Sequence, residues 1–372
     1  MSDKQMKYRY EDGEIENKHR SEKSGKRTKK KKKSKVKRVI FTFFIVFLMA
    51  FAMAFGVAVG YAYNMLTEIE QDESFNKNEI EINEGVKTTG YRNILLYGVD
   101  ARNQKNSYDG SLSDVIMIVS INQDTKKVRI ASVYRDTYLQ NPKNKTFDKI
   151  THAFGEGGPS LSMSIINTNL DLDITDYVAV NFNVVVDAVD AVGGVTIDIT
   201  SEEAGYINQY IDEVNKTTGH KSKHITKGGT YTLDGVQATA YSRIRYTAGG
   251  DWKRTERQRK VLDLVFEKAK KMSIGELTSL ANTVLGKVST NLSKTEILYL
   301  ISQAASYEIE ESKGWPFEVA DYQPNGVWYG VPKNLEKQVT SLHEFLFDKE
   351  DYVPSTSVKS ISDAMIKRTG IK

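Results

Sequence analysis

The 372-residue chain contains no cysteine. That excludes a disulfide framework, a thiolate zinc site, an iron–sulfur cluster and a cysteine nucleophile. Residues 39–67 contain no charged side chain, although about a quarter of positions are charged in an ordinary soluble domain. There is no internal repeat and no low-complexity stretch beyond a basic segment near the start. A G-x-S-x-G elbow is absent, and the Gly155–Pro159 cluster has no P-loop lysine and reads as a turn. Both facts argue against the hydrolase and nucleotide-binding classes that depend on those motifs.

What is present is unevenly charged. The formal net charge of +4 comes from 52 Lys and Arg and 48 Asp and Glu. Residues 1–38 hold 16 Lys and Arg against 6 Asp and Glu, a net of +10, which leaves the other 334 residues at −6. With 40% hydrophobic residues, 3 Trp, 20 Tyr and 14 Phe, the remainder can build a full-sized core. Residues 39–63 read VIFTFFIVFLMAFAMAFGVAVGYAY. At about 1.5 Å per residue such a helix crosses a hydrocarbon layer of roughly 30 Å. It is also longer than the usual signal-peptide core of about 7–15 residues, so it predicts an uncleaved single-pass anchor.

Lys29 to Lys33, Lys35, Lys37 and Arg38 precede that span. Basic clusters stay on the cytoplasmic side, which puts the larger C-terminal part outside the cell membrane. Beside a span, such a cluster suits anionic lipid, and nucleic acid is set aside as a partner. A cysteine-free external domain suits the surface of a Gram-positive bacterium. Gly56 and Gly60 have a GxxxG spacing, which by itself leaves the oligomeric state open.

Residues 64–90 are polar and acidic and predict an extracellular stalk with some helix. Apolar runs at 92–99, 115–121 and 128–134 predict three successive strands, with a turn at 122–125. A helix is expected to open at Gly158–Pro159, a strand at 177–182, a helix at 183–192 stopped by Gly193–Gly194, and a strand at 195–199. Further helices are expected over 254–271 and 293–307. This alternation predicts an α/β fold, an α-β-α sandwich with a central mixed sheet. One domain is expected over 91–348, followed by a polar tail at 349–372.

A meander of the first three strands brings Asp100, Asp114, Arg135 and Asp136 to one sheet edge. Two carboxylates with an arginine between them could hold magnesium with a substrate phosphate, or form a structural ion-pair network. A second constellation lies in LDGVQATAYSRIRYTAGGDWKRTERQRKVL, residues 233–262. A strand at 241–246 would put Arg243 and Arg245 on one face about 7 Å apart. Asp251 would then cap a helix whose first turns carry Arg254, Arg257 and Gln258, with Arg254 and Gln258 on one face. Guanidinium groups match phosphate oxygens bidentately, so this segment predicts a pyrophosphate clamp. Val261 and Val265 continue the helical face as apolar surface, which suits an amphiphilic phosphate. His152 lies just after Lys149 and is either a phosphate contact or a core or rim histidine, while His220 and His224 lack the partners of a zinc site. Trp252, Trp315 and Trp328 either pack a core or stack on sugars.

The chain resembles the LytR-CpsA-Psr proteins, membrane-anchored phosphotransferases of Gram-positive cell walls. The resemblance covers roughly residues 92–347. It rests on six segments in order: NILLYGVDAR, SDVIMIVSIN, SVYRDTYL, KITHAFGEGGP, DYVAVNFNVVVDAVDAVGGVTIDI and LDGVQATAYSRIRYTAGGDWKRTERQR. It implies transfer of a teichoic acid or capsular glycopolymer from a polyprenyl-pyrophosphate carrier to a muramic-acid hydroxyl of peptidoglycan. Asp100 and Asp114 would be the ligands of Mg2+, with Mn2+ as the alternative ion. Arg135, Arg243, Arg245, Arg254 and Gln258 would bind pyrophosphate and drive catalysis, and Arg102 and Asp251 match further positions of the pattern. Asp136 is the favoured proton acceptor, and Lys149 and Arg257 are expected at the substrate. Two departures stand out. Ser111-Leu112-Ser113 lacks the arginine many relatives carry before the second acid, and Tyr134 replaces the usual proline before Arg135. The rival functions are a polyprenyl-pyrophosphate phosphatase and a non-catalytic lipid-binding regulator.

Overall fold

A computed structural model describes residues 75–99 and 110–372. The expected basic segment 1–38 and anchor 39–63 lie outside the described residues, as do Asp100 and Arg102. Among the described residues no helix is long and apolar enough to cross a membrane.

The three expected strands form as β1 (Tyr91–Val99), β2 (Ser113–Asn122) and β3 (Lys127–Val133), each antiparallel to the next. Their side chains divide between two cores. Leu95, Tyr97, Ile116, Ile118, Ala131 and Val133 face one, whereas Ile94, Met117, Ile121, Val128 and Ile130 face the other. Burial on both faces is why these strands read as near-continuous apolar runs. The Asn122 side chain accepts hydrogen bonds from the Asp124 and Thr125 amides, both at 3.0 Å, and closes the β2–β3 turn.

A short hairpin, β4 (Tyr138–Gln140) and β5 (Phe147–Lys149), leads into helix α1 (Ile150–Leu170). The helix begins eight residues before the expected start at Gly158. The glycine cluster is a kink within it: Gly157 and Gly158 leave helical geometry, and Pro159 restarts the helix in the first-turn position that proline tolerates. β6 (Asp176–Val180) then pairs parallel with β1. α2 (Phe182–Ala191) follows, capped by Asn181.

β7 (Val195–Ile199), α3 (Ser201–Thr218), β8 (Gly229–Leu233) and α4 (Gly235–Arg243) make a second assembly with its own apolar cluster. Here the structure corrects the sequence reading. Residues 241–246 are not a strand: Asp234 and Gln237 form a capping box that starts α4, and the helix carries through Arg243. α5 (Gly250–Ala269), α6 (Ile274–Leu285), β9 (Ser289–Thr290), α7 (Lys294–Gln303) and β10 (Glu308–Trp315) come next. The central sheet is mixed and six-stranded, in the order β10-β3-β2-β1-β6-β9. β11 (Val319–Tyr322) pairs with β12 (Tyr329–Pro332), and α8 (Leu335–Phe347) and α9 (Thr356–Thr369) complete the chain.

The described part of the expected stalk, residues 75–90, and the expected polar tail at 349–372 both pack against the domain, while residues 64–74 lie outside the described residues. Ile80 enters the main core, and Asn83 donates to Asp171 at 2.6 Å and to the Thr168 carbonyl at 2.8 Å. The supposed C-terminal tail holds α9, whose Val358, Ile361 and Met365 join the same core. Ser355 caps α9 and donates to Asp171 through both its amide and its hydroxyl, at 2.7 and 2.6 Å. The C-terminal flank misled because its few apolar residues, Val358, Ile361 and Met365, lie on one helical stripe that average polarity hides.

α2 and α4 meet at Gly235, where an added Cβ would lie 2.2 Å from the Val186 carbonyl oxygen. Gly235→Ala is expected to cost about 1–3 kcal/mol by forcing the helices apart. Gly205→Ala, on an exposed face of α3 with open space around it, should instead stabilise by roughly 0.5–1 kcal/mol. Urea unfolding of the two variants reads both signs.

Candidate active site

The meander delivers three of its charged groups to one edge. β1 ends beside β2, where Val99 pairs with Ser113 after an irregularity at Gly98. A Cβ on Gly98 would lie 2.8 Å from the Val115 side chain, so glycine permits this close approach. β3 ends at Val133, the Tyr134 amide donates to the Trp315 carbonyl at 2.9 Å, and Arg135 and Asp136 follow. Arg135 forms an ion pair with Asp114 Oδ1, and its Nε lies 3.4 Å from Asp136 Oδ2. Lys149, from the end of β5, holds Asp136 Oδ1 at 2.8 Å.

The second constellation closes on the same edge by a route other than the expected one. Arg243 is the last residue of α4, Ile244 is fully buried, and Arg245 leaves the helix to reach Asp114 Oδ2 at 3.6 Å and Asp251 Oδ1 at 3.9 Å. Asp251 lies in the first turn of α5, whose N-cap is Gly249 rather than Asp251. Arg254, one turn on, approaches Asp251 Oδ1 to 2.5 Å. Arg243 pairs with Glu213 at 3.1 Å, and its guanidinium lies 4.6 Å from the Phe182 ring centre and 5.5 Å from that of Tyr210.

These side chains border a cavity of about 630 Å³. Arg135, Arg243, Arg245, Arg254 and Gln258 line it beside Asp114, and Val180, Phe182, Val185 and Tyr210 supply an apolar wall. Arg254 is 2% exposed. Its Nε has no hydrogen-bond partner among the described residues, and Nη2 touches Asp251 without hydrogen-bond geometry. A buried guanidinium with open donors is costly, and an anion in the cavity would satisfy it.

The charge network shifts two of its members. Burial pushes the Asp251 carboxyl up to about 6; Arg245 and Arg135 pull it down, and Asp136 and Asp114 oppose them. Burial works against the Arg135 charge, yet Asp114 and Asp136 outweigh it and hold the guanidinium above its ordinary value. Asp114 presents carboxylate oxygens, hard donors that fit a magnesium ion. Among the described residues no group of three His, Asp or Glu side chains could form a complete protein cage. Such an ion would therefore need further oxygens, from outside the described residues or from a phosphate.

The structure separates the remaining candidates. Arg257 is not at the cavity: it is buried, with Nε on Glu203 at 2.8 Å, Nη1 on the Ile244 carbonyl at 3.0 Å and Nη2 on Thr247 at 2.7 Å. It holds the Arg243–Arg245 turn in place. Burial alone would raise the Glu203 carboxyl, but the Thr200 amide and Arg257 outweigh it and lower it. Val261 faces the core of the second assembly rather than a groove, so the apolar wall comes from β6, α2 and α3 instead. His152 pairs with Asp148 and His224 with Asp212, at 2.9 and 2.8 Å. Of the Ser111-Leu112-Ser113 segment before Asp114, Ser111 and Leu112 line the cavity, with Leu112 40% exposed. Glu213, Phe182 and Tyr210 were missed, because pairing α3 with α2 and α4 is not visible in local patterns.

Because the folded Asp251 carboxyl titrates near 6 against an unfolded value near 4, the native state binds the proton more tightly. Its contribution to stability is present below about pH 4 and is lost as pH rises through 6. Removing the titration with Asp251→Asn should make the variant gain stability relative to the parent between pH 4 and 6. Urea midpoints at several pH values measure that difference; parallel curves would contradict the raised value.

The model of the LytR_cpsA_psr family matches residues 56–344. The chain is 32% identical over 241 residues to the polyisoprenyl-teichoic acid–peptidoglycan teichoic acid transferase TagT of Bacillus subtilis (strain 168), a match covering 63% of this chain and 70% of that protein. It is 32% identical over 293 residues to the transferase of the same description, TagU, of Bacillus cereus (strain AH820), covering 75% of this chain and 88% of that one. The solved structure of TagT bound to LIIa-WTA superposes with a TM-score of 0.52 at 24% identity, covering 82% of this chain and 100% of the other, which shows a shared fold. The resemblance seen in the six sequence segments thus extends over most of the chain, and this protein belongs to the LytR_cpsA_psr family.

Proposed function

We propose that the chain transfers a glycopolymer of the teichoic acid or capsular class from a polyprenyl-pyrophosphate carrier to peptidoglycan. The observation that carries this reading is one cavity that joins four arginines to an apolar wall. A pyrophosphate with a lipid tail needs both surfaces. The names of the TagT and TagU relatives support the donor and acceptor classes.

In this reading Arg135, Arg243, Arg245 and Arg254 bind the pyrophosphate oxygens, with the Gln258 amide donating beside them. A hydroxyl oxygen of the acceptor attacks the phosphorus that carries the glycan. The bond from that phosphorus to the bridging oxygen breaks, and polyprenyl phosphate leaves with its charge held by the arginines. The hydroxyl proton passes to a carboxylate. Asp136, the acceptor favoured from sequence, is flanked by the cations of Arg135 and Lys149, although its Oδ1 accepts no hydrogen bond among the described residues. Asp251, raised to about 6, is better matched to take a proton near neutral pH. Lys149 then acts by fixing Asp136 and, through it, Arg135. Magnesium, or manganese in its place, would be held by Asp114 and Asp100 with phosphate oxygens and would neutralise pyrophosphate charge.

Residues 39–63 would anchor the enzyme in the cell membrane of a Gram-positive bacterium, with the folded domain outside and the carrier's tail kept in the lipid. Full-length protein in detergent, given a short-chain polyprenyl-pyrophosphate glycan, peptidoglycan oligomers and magnesium, should yield joined product. Arg135→Ala should lower the rate by about 10²–10³-fold, and EDTA should abolish it. Released polyprenyl phosphate without joined product would indicate a phosphatase, and tight binding without turnover a lipid-binding regulator.

A further inference from the structure

The three tryptophans have different fates. Trp315 is fully buried and Trp328 donates to Asp321 at 2.9 Å, but Trp252 is 51% exposed. Trp252 directly follows Asp251 in the first turn of α5. One face of its indole stacks on Tyr134, with ring centres 5.8 Å apart and planes 22° from parallel. Tyr134 in turn directly precedes Arg135. The pair therefore stands beside the two residues that the proposed chemistry uses most.

This arrangement is built rather than incidental. The Tyr134 amide is tied to the Trp315 carbonyl of β10. Its phenol lies over Gly314 of the same strand, where an added Cβ would come within 2.0 Å of the Tyr134 oxygen. Glycine at 314 thus makes room for Tyr134, and the tyrosine supports the indole. An indole half open to water, on a backing that fixes its tilt, presents one flat apolar face to solvent beside the charged cluster. Neither ring lines the cavity, whereas Tyr246, the exposed aromatic after Arg245, does. The two aromatics thus stand outside the space assigned to the pyrophosphate and lipid, flanking the Arg135–Asp251 cluster.

The geometry points to Trp252, backed by Tyr134, as the shelf that seats the acceptor glycan. The axial C–H bonds of a pyranose form an apolar face that lies flat on an aromatic ring, while its hydroxyls stay in water. In-line displacement needs the acceptor to approach from the side away from the leaving phosphate. A sugar on Trp252 would hold its hydroxyl next to Asp251 while the donor occupies the cavity. This assignment rests on the transferase reading of the site, and it names which substrate the aromatic pair recognises.

Acceptor and donor kinetics of the full-length protein in detergent test it. Trp252→Ala should raise KM for peptidoglycan oligomers roughly 3- to 10-fold, leaving KM for the polyprenyl-pyrophosphate donor unchanged. Trp252→Phe should restore the acceptor KM. A second readout needs no turnover: a soluble peptidoglycan tetrasaccharide added without donor should alter tryptophan fluorescence in the parent but not in Trp252→Phe. If transfer proceeds and Trp252→Ala leaves the acceptor KM unchanged, or shifts the donor KM instead, the shelf is not the acceptor site. If no transfer occurs at all, the fluorescence titration still decides: saturation confirms a glycan shelf, and a flat response overturns it independently of the transferase reading.

Discussion

Four guanidinium groups gathered around one cavity repel each other, and the fold keeps them there by threading carboxylates between them. Asp114 bridges Arg135 and Arg245, and Asp251 bridges Arg245 and Arg254. The chain of alternating charges runs from the end of β3, across the start of β2, to the first turn of α5. Asp114 and Asp251 are each shared by two arginines, whereas Arg243 has Glu213 to itself and Arg135 has Asp136 as a second partner. Arg254 is left buried with open donors. An anionic ligand is the missing partner of this network.

Everything else about the architecture serves to bring those elements together. The β1–β2–β3 meander is apolar on both faces, so it fixes the register at the edge where Asp114, Arg135 and Asp136 emerge. The second assembly supplies the other half. Arg257, buried against Glu203, Ile244 and Thr247, locks the turn that aims Arg243 and Arg245. That turn is held from behind by a salt bridge with nothing to do with substrate. The aromatic rings of Phe182 and Tyr210 lie against Arg243 and also begin the apolar wall, so charge and grease meet at one residue.

Much of this was legible in the sequence, and the failures have physical causes. Continuous apolar runs ending in acids marked the meander and its charged edge, because burial on both faces leaves no polar alternation to confuse the reading. Arg243 and Arg245 were found for a reason that proved wrong. The alternation of Tyr241, Arg243 and Arg245 with Ser242 and Ile244 imitated a strand, while the capping box at Asp234 and Gln237 had already committed the backbone to a helix. Arg257 was misplaced because helical spacing alone cannot say which of two adjacent faces meets the cavity and which meets Glu203. Glu213, the apolar wall and the Tyr134–Trp252 stack join segments far apart in the chain, and no local period encodes such contacts. Asp100 and Arg102, and the anchor at 39–63, lie outside the described residues and stand on sequence alone.

The central claim is that the arginine network is short of an anion and that a pyrophosphate supplies it. The direct measurement is the affinity of the full-length protein for a short-chain polyprenyl pyrophosphate, compared by calorimetry with its Arg254→Ala variant. Loss of the buried guanidinium should weaken binding by at least about tenfold, since a charge-assisted hydrogen bond to an anion is worth roughly 1.5–3 kcal/mol. Equal affinity in the two proteins would mean that Asp251 alone satisfies Arg254, and the account of the cavity as a pyrophosphate clamp would fail.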